Sequence, residues 1–231
     1  MTRVIAVAGA GGPAGRAVVR RLAEAGDIVV AADADQARLD EAVTPVGAEG
    51  RVVDLLDAAA TRAWIDDIVA RHGRLDGFVH LVGGWRGGKG LTAEALDHWA
   101  VLEPLLVRTL QHTSLAAQAA LAAAPAGRFV IVSAAGAGAP TAGNAAYAAA
   151  KAAAEAWTLA LGHAFAKAGS NAAATIVVVK ALVDEAMRAA RPDAAFDGFT
   201  DVDDLALSIA GLWDRPTDEL NGERLWLTPR P

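Results

Sequence analysis

VIAVAGAGGPAG, residues 4–15, passes from five apolar residues into a glycine-rich turn and on to a helix start. Val4 to Ala8 is a short apolar run that ends in glycine, and Ala14 to Ala25 has helical spacing with Arg16, Arg20, Arg21 and Glu24 on one side. Strand, glycine turn and helix follow one another within some twenty residues. Gly9, Gly12 and Gly15 punctuate the turn, and Pro13 suits the first turn of a helix because its missing N–H is not needed there. With Ala14, these residues let backbone approach a pyrophosphate at the positive end of the helix. The plain alternative is a tight turn with no ligand, but the strand–turn–helix context is the one a phosphate-binding turn requires.

Outward from that stretch the same alternation continues. Strands are expected at Asp27–Asp33, Arg51–Val53, Gly77–Val82, Arg128–Ser133, Thr175–Val179 and Arg224–Leu227. Helices are expected at Asp35–Val43, Ala58–Arg71, about Ala93 to Ala124, Ala145–Lys167 and about Asp184 to Trp213. Repeated strand–helix alternation predicts an α/β chain: a doubly wound parallel sheet with helices on both faces, forming one domain over residues 1–231. Helical patterning is lost at Trp85–Leu91 and Arg191–Thr200. Both stretches follow strands, and in such sheets ligands sit beyond the carboxyl ends of the strands, so a substrate pocket and its cover are expected there.

Composition narrows the function. The 231 residues carry a formal net charge of −6, with 54% hydrophobic residues, 21% charged residues and no cysteine. Disulfides, thiolate nucleophiles and cysteine-ligated metals are excluded. Lysine and arginine are scattered singly, so neither a nucleic-acid nor an anionic-membrane footprint is present, and a small-molecule substrate is the expected partner. The apolar run after Met1 turns into glycines too soon for a signal peptide, and Lys151, Glu155, Lys167 and Lys180 interrupt the alanine-rich tracts, so no membrane span is expected. The expectation is a cytoplasmic protein. His72, His80, His98, His112 and His163 have no metal-ligand spacing, so no metal is assigned, and neither a Gly-x-Ser-x-Gly elbow nor a phosphate-loop lysine motif occurs.

Asp33 lies 18 residues after Gly15, near the spacing of about 20 at which an acidic residue holds the adenosine ribose hydroxyls. A carboxylate there repels a 2′-phosphate. NADH is therefore the preferred cofactor, with Arg38 and Arg16 as the nearby residues that could favour NADPH. Asp33 or Asp35 could instead cap the next helix. Asp54, just past the third strand, either faces the adenine or sits in solvent.

The single tyrosine, Tyr147, precedes Lys151 by four residues on a helix, which puts both side chains on one face. A phenol titrates near pH 10, and bringing it to neutrality takes about 4 kcal/mol of differential stabilisation, within reach of two close positive charges in a partly dry site. Tyr147 could then act as general acid toward a carbonyl or imine that receives hydride. The competing reading is a packing tyrosine beside a snorkelling lysine.

The glycine turn, Asp33, Asp54, the strand end His80-Leu81-Val82-Gly83, Ser133 and the Tyr147-x-x-x-Lys151 pair together resemble the short-chain dehydrogenase/reductase family, over nearly the whole chain. The resemblance implies a Rossmann-type fold and an NAD(P)-dependent oxidoreductase. It makes Tyr147 the acid–base residue, Lys151 the holder of the nicotinamide ribose that lowers the phenol's pKa, and Ser133 a candidate to polarise the substrate carbonyl. It places Val82 and Gly83 beside the cofactor and implies a homodimer or homotetramer. The glycine pattern, Val82 to Gly88, and Ala139 to Gly143 before Tyr147 are similar to the dihydropteridine reductase branch, an NADH-linked group acting on quinonoid dihydropterin.

Departures from the family bear on the substrate. His80 replaces the first asparagine of the strand end, and Thr109 stands where the family's helix asparagine serves a proton relay. Ser133 precedes Tyr147 by 14 residues, one more than the family spacing, so either Ser133 or Ala134 occupies the catalytic serine slot. Lys180 stands where the family has proline. It either binds the cofactor pyrophosphate, joins Arg86 on a substrate carboxylate, or is solvated. Trp85 could stack on a flat heterocycle, whereas Trp99, Trp157, Trp213 and Trp226 read as core or interface. The rival function is a dinucleotide-binding sensor or scaffold of the same fold without turnover, suggested by the residues at 80, 109 and 180.

Overall fold

Side chains along Val4–Ala8 (β1) alternate between two apolar layers, as the period of two in a strand demands: Val4, Ala6 and Ala8 face one, Ile5 and Val7 the other. A strand buried on both faces needs helices on both, and the chain supplies them. The computed structural model describes residues 2–230. After β1 come α1 (Pro13–Glu24), β2 (Ile28–Asp33), α2 (Gln36–Val43), β3 (Glu49–Val52), α3 (Ala58–His72) and β4 (Gly77–His80). The second half contains α4 (Glu94–Glu103), α5 (Thr109–Ala123), β5 (Arg128–Ala134), α6 (Ala145–Lys167), β6 (Ala173–Val179) and β7 (Leu182–Val183). The chain closes with α7 (Glu185–Ala190), β8 (Thr200–Asp201), α8 (Val202–Ala210) and β9 (Arg224–Trp226).

Seven strands form one parallel sheet in the order β3-β2-β1-β4-β5-β6-β9. This is the doubly wound α/β arrangement expected from the alternation. The layer holding Ala6, Phe78, Phe129 and Ile131 packs under Ile65 of α3, Leu110 of α5 and Phe165 of α6. The opposite layer, with Val7, Val79 and Val130, packs under Val18 of α1, Leu39 of α2 and Leu205 of α8. Strand order reverses at β1, which pairs with β2 on one side and β4 on the other. A crevice opens at the carboxyl ends of strands at such a reversal.

The long helix expected from Ala93 to Ala124 is broken by a π-helical turn over Pro104–Arg108, where the N–H of Thr109 bonds to the carbonyl of Pro104. Pro104 has no N–H to offer the preceding turn, and the wider ladder accommodates it. The expected helical region from Asp184 to Trp213 is likewise divided. α7 ends before Arg191, an irregular segment follows, and β8 pairs with β7 in a small two-stranded sheet that periodicity did not indicate. Short apolar pairs such as Leu182-Val183 carry too few residues for a period to be read.

Candidate active site

The glycine turn is built by backbone contacts that exclude side chains. Gly9, at φ +76°, and Ala10 both donate to the carbonyl of Ala32 at the end of β2. A Cβ on Gly9 would stand 2.8 Å from the backbone nitrogen of Val82, and one on Gly15 would stand 2.3 Å from the carbonyl oxygen of Gly9. Gly12 differs, with only the Gly9 carbonyl at 3.7 Å near its Cβ position, so the turn opens at that point. Gly12 caps α1 without a side chain, Pro13 opens the helix, and its first turn carries no acidic residue. Free N–H groups at a positive helix end beside an open glycine suit a pyrophosphate.

A cavity of about 990 Å³ starts at this turn and runs across the carboxyl ends of β1, β4, β5 and β6. Gly9, Gly12, Pro13, Ala14, Gly15, Val82 and Gly83 line its end at the glycine turn, and Trp85, Tyr147, Lys151 and Lys180 line the rest. These dispersed sequence candidates thus share one space. Asp33 and Asp54 are not on its wall. Asp33 is buried behind the turn, with Oδ2 accepting from the Gly11 N–H at 3.0 Å and Oδ1 from Asp35 N–H and Arg38 Nη2, each at 3.0 Å. Capping of α2 falls to Asp35, whose side chain accepts from the Arg38 N–H. Asp54 is exposed and accepts from the Leu56 N–H of its own loop.

Tyr147 and Lys151 lie one turn apart on α6, with the ammonium 5.9 Å from the phenol ring centre. Lys151 Nζ donates to the Val132 carbonyl of β5 at 2.7 Å. Burial lowers its pKa to about 8, against the pull of the Glu155 carboxylate one turn further on. Burial raises the Tyr147 phenol above its ordinary value. In the chain alone, therefore, desolvation outweighs the lysine, which is one of the two positive charges the sequence reading calls for, the other being an oxidised nicotinamide ring. An ionised phenol in a partly dry pocket lacks the water that stabilises its charge.

Ser133 and Ala134 both border the cavity, but the Ser133 hydroxyl donates to Glu155 Oε1 at 2.6 Å, and Oε2 of the same carboxylate accepts from Arg224 Nε at 2.7 Å. His80 is buried between Thr109 and Thr113, whose hydroxyls lie 3.4 Å from Nε2 and 3.1 Å from Nδ1. Burial, aided by the Lys151 charge, lowers its pKa to about 3, so the ring is neutral throughout the physiological range. Thr109 donates to the Leu105 carbonyl inside the π-helical turn.

Trp85 is 60% exposed at the cavity rim. Arg86 is turned outward, donating to the Trp85 carbonyl, and does not line the cavity. Lys180 Nζ donates to the Asp197 carbonyl at 2.7 Å, so its ammonium fastens the irregular segment after α7 rather than reaching Arg86. Among the described residues, no group of three or more acidic or histidine side chains could hold a metal, and no helix is long and apolar enough to cross a membrane.

The short chain dehydrogenase family profile matches residues 3–194. The chain belongs to the short-chain dehydrogenase family. Solved structures give the same fold at low identity. A short-chain type dehydrogenase/reductase from Mycobacterium ulcerans superposes with a TM-score of 0.87 at 19% identity, covering 97% of this chain and 88% of that one. A 3-ketoacyl-(acyl-carrier-protein) reductase from Brucella melitensis, in complex with NADH, gives 0.79 at 20% identity over 98% and 96% of the two chains. A short chain dehydrogenase from Shigella flexneri 2a str. 301, in complex with NADP, gives 0.84 at 19% identity over 97% and 96%. No curated protein matches in sequence.

In this short-chain dehydrogenase several cavity residues were not singled out from the sequence. Asn144 stands three residues before Tyr147, and Leu182, Val183 and Met187 come from the region just after β6, whereas Arg191 and Phe199 lie in the 191–200 stretch where the pocket and its cover were expected. Asn144 had a legible signal, its i, i+3 relation to Tyr147 on one helix face. The others come together only because β7 and β8 fold the segment back over the site.

Proposed function

We propose that this chain is an NAD(H)-dependent reductase or dehydrogenase that moves a hydride between nicotinamide and a carbonyl, imine or quinonoid carbon of a small molecule. The observation that carries it is the opening of Tyr147 and Lys151 into the same cavity as the glycine turn. Gly12 and the first turn of α1 would hold the pyrophosphate, Asp33 the adenosine ribose, and Lys151 the nicotinamide ribose. A bound nicotinamide supplies or accepts the hydride and, when oxidised, adds a positive charge to the site. Tyr147 then gives the hydroxyl proton to the substrate oxygen in reduction and takes it back in oxidation. With a pKa of about 8, Lys151 is mostly cationic at neutral pH, and its charge stabilises the phenolate left behind. The Val132 carbonyl fixes the ammonium in position.

The wall favours a flat, largely apolar acceptor. Trp85, Met187 and Phe199 offer apolar surface, and quinonoid dihydropterin is the first compound to try. The test offers quinonoid dihydropterin, a small diketone, a benzoquinone and a keto acid with NADH and with NADPH, following the near-ultraviolet absorbance of the reduced cofactor. Turnover by the wild type and its loss in Tyr147→Phe with NADH binding retained would support the reading; full activity in that variant would overturn it. A second reading, a dinucleotide-binding sensor without turnover, is favoured by the commitment of the Ser133 hydroxyl to Glu155. Tight NADH binding with silence on all four acceptors is its signature. We also propose a homodimer or homotetramer, which a monomeric mass by sedimentation at micromolar concentration would refute.

A further inference from the structure

Reduction of a carbonyl builds negative charge on its oxygen, and a proton donor alone does not hold that oxygen while the charge develops. A second hydrogen-bond donor, aimed where the charge appears, is generally worth a large factor in rate. Ala134 has only a methyl group to offer, and the Ser133 hydroxyl, the nearest on β5, is spent on Glu155 at 2.6 Å. Another cavity donor must serve, if any does.

Asn144 occupies the N-cap position of α6, where asparagine ordinarily turns its side chain back onto the helix N–H groups. Here the side chain makes no capping bond. Its Oδ1 accepts from the Thr141 N–H at 2.7 Å, which fixes the amide's orientation and leaves Nδ2 as the outward group. Among the described residues, Nδ2 donates to no acceptor. It lies over Gly136, just past the end of β5, where a Cβ would stand 3.1 Å from it, so the glycine leaves the amide its room. Both Asn144 and Gly136 line the cavity that holds Tyr147, and residues 144 and 147 share one face at the start of α6.

We infer that the Asn144 Nδ2–H group is the second donor to the substrate oxygen, in place of a hydroxyl on β5. The inference rests on Tyr147 acting as the proton donor. As a hydride and its electron pair arrive from reduced nicotinamide, a C–H bond forms at the carbonyl carbon and the C=O π pair moves onto oxygen. That oxygen takes the Tyr147 proton while accepting a hydrogen bond from Asn144, which keeps its own protons throughout. Asn144 is thereby a catalytic residue, and its partner Thr141 is a positioning residue.

The experiment uses the acceptor panel above on wild type, Asn144→Ala, Asn144→Asp and the double variant Asn144→Ala/Ala134→Ser. Asn144→Asp keeps the acceptor for the Thr141 N–H while it replaces the donor with a charged oxygen, so it tests the need for a donor if the alanine variant folds poorly. Both single variants should lose about a hundredfold in kcat/KM, with NADH affinity by fluorescence titration unchanged. Ala134→Ser in the alanine background should restore most of that loss, which a merely structural role for Asn144 would not allow. Turnover within a few-fold of wild type in both single variants, or a loss that serine at 134 does not repair, would overturn the inference while leaving the hydride-transfer reading intact. Absence of wild-type turnover on every acceptor would overturn that reading and this inference together.

Discussion

The Ser133 hydroxyl donates to Glu155 Oε1 at 2.6 Å. Both residues are buried, and Arg224 of β9 closes the other oxygen of the carboxylate at 2.7 Å. The triad ties β5, α6 and β9 together at the point where Lys151 also reaches β5. In this structure the one hydroxyl proton of the serine is engaged by Glu155, an arrangement that fits a structural part for it.

Ser133→Ala should therefore act on stability rather than on turnover. One oxygen of a buried carboxylate would lose its hydroxyl donor, at a cost of about 1–3 kcal/mol. Urea unfolding at pH 7 measures the loss, and the acceptor assay shows whether kcat/KM stays close to wild type. A drop in turnover as large as that expected of a missing oxyanion donor would return Ser133 to the catalytic site.

His80 makes the fold sensitive to acid. Its pKa is lowered from 6.5 to about 3, so between those values the unfolded chain binds a proton that the folded chain refuses. Stability contributed by the neutral ring is complete above pH 6.5 and is lost as the pH falls toward 3. From pH 6.5 to 4.5 the loss is about 2 kcal/mol. His80→Gln, which keeps a polar partner for Thr113, should flatten the acid limb of urea midpoint against pH over that interval. An unchanged slope would mean that the ring is hydrated and protonates freely.

Much of this architecture is legible in the sequence because it depends on local patterns. Val4–Ala8 and the glycine turn specify a strand, a phosphate-binding turn and a helix within one short stretch, and Tyr147 and Lys151 meet through helix spacing alone. What escapes the pattern depends on tertiary contact. Nothing in the spacing of Ser133 from Tyr147 reveals that Glu155 captures its hydroxyl from 22 residues away. Lys180 reads as a pyrophosphate ligand, a carboxylate ligand or a solvated lysine, and no spacing shows that its ammonium meets the Asp197 carbonyl. The pairing of β7 with β8, which brings Phe199 over the site, uses two residues from each strand and leaves no periodic trace.

Lys151 should give the opposite limb of the stability profile. Its folded pKa of about 8 lies below its ordinary 10.5, so folding carries the cost of the desolvated ammonium at every pH below 8. As the pH rises from 8 to 10.5 the folded chain releases its proton before the unfolded one, and stability increases by up to about 3 kcal/mol. Lys151→Met should lack this alkaline rise in urea midpoint. The same rise in the variant would assign it to another group.

The Asp33–Arg38 ion pair sets up a test of cofactor choice. Arg38 Nη2 lies 3.0 Å from Asp33 Oδ1, and its side chain is 57% exposed, so the guanidinium is held at the turn yet remains accessible. The ionised Asp33 occupies Arg38, and on the proposed cofactor placement it would repel a 2′-phosphate. Asp33→Asn preserves an acceptor for the Gly11 N–H, so the glycine turn keeps its support, while the charge disappears and Arg38 is freed. The ratio of kcat/KM for NADPH over NADH should then rise by about 10- to 100-fold, the size of a charge-assisted hydrogen bond of 1.5–3 kcal/mol. Adding Arg38→Ala to that variant should erase most of the gain, because the guanidinium is the group that would receive the phosphate. If Asp33→Asn weakens NADH without improving NADPH, the carboxylate acts by holding the turn and ribose alone, and the 2′-phosphate is excluded by shape rather than by charge.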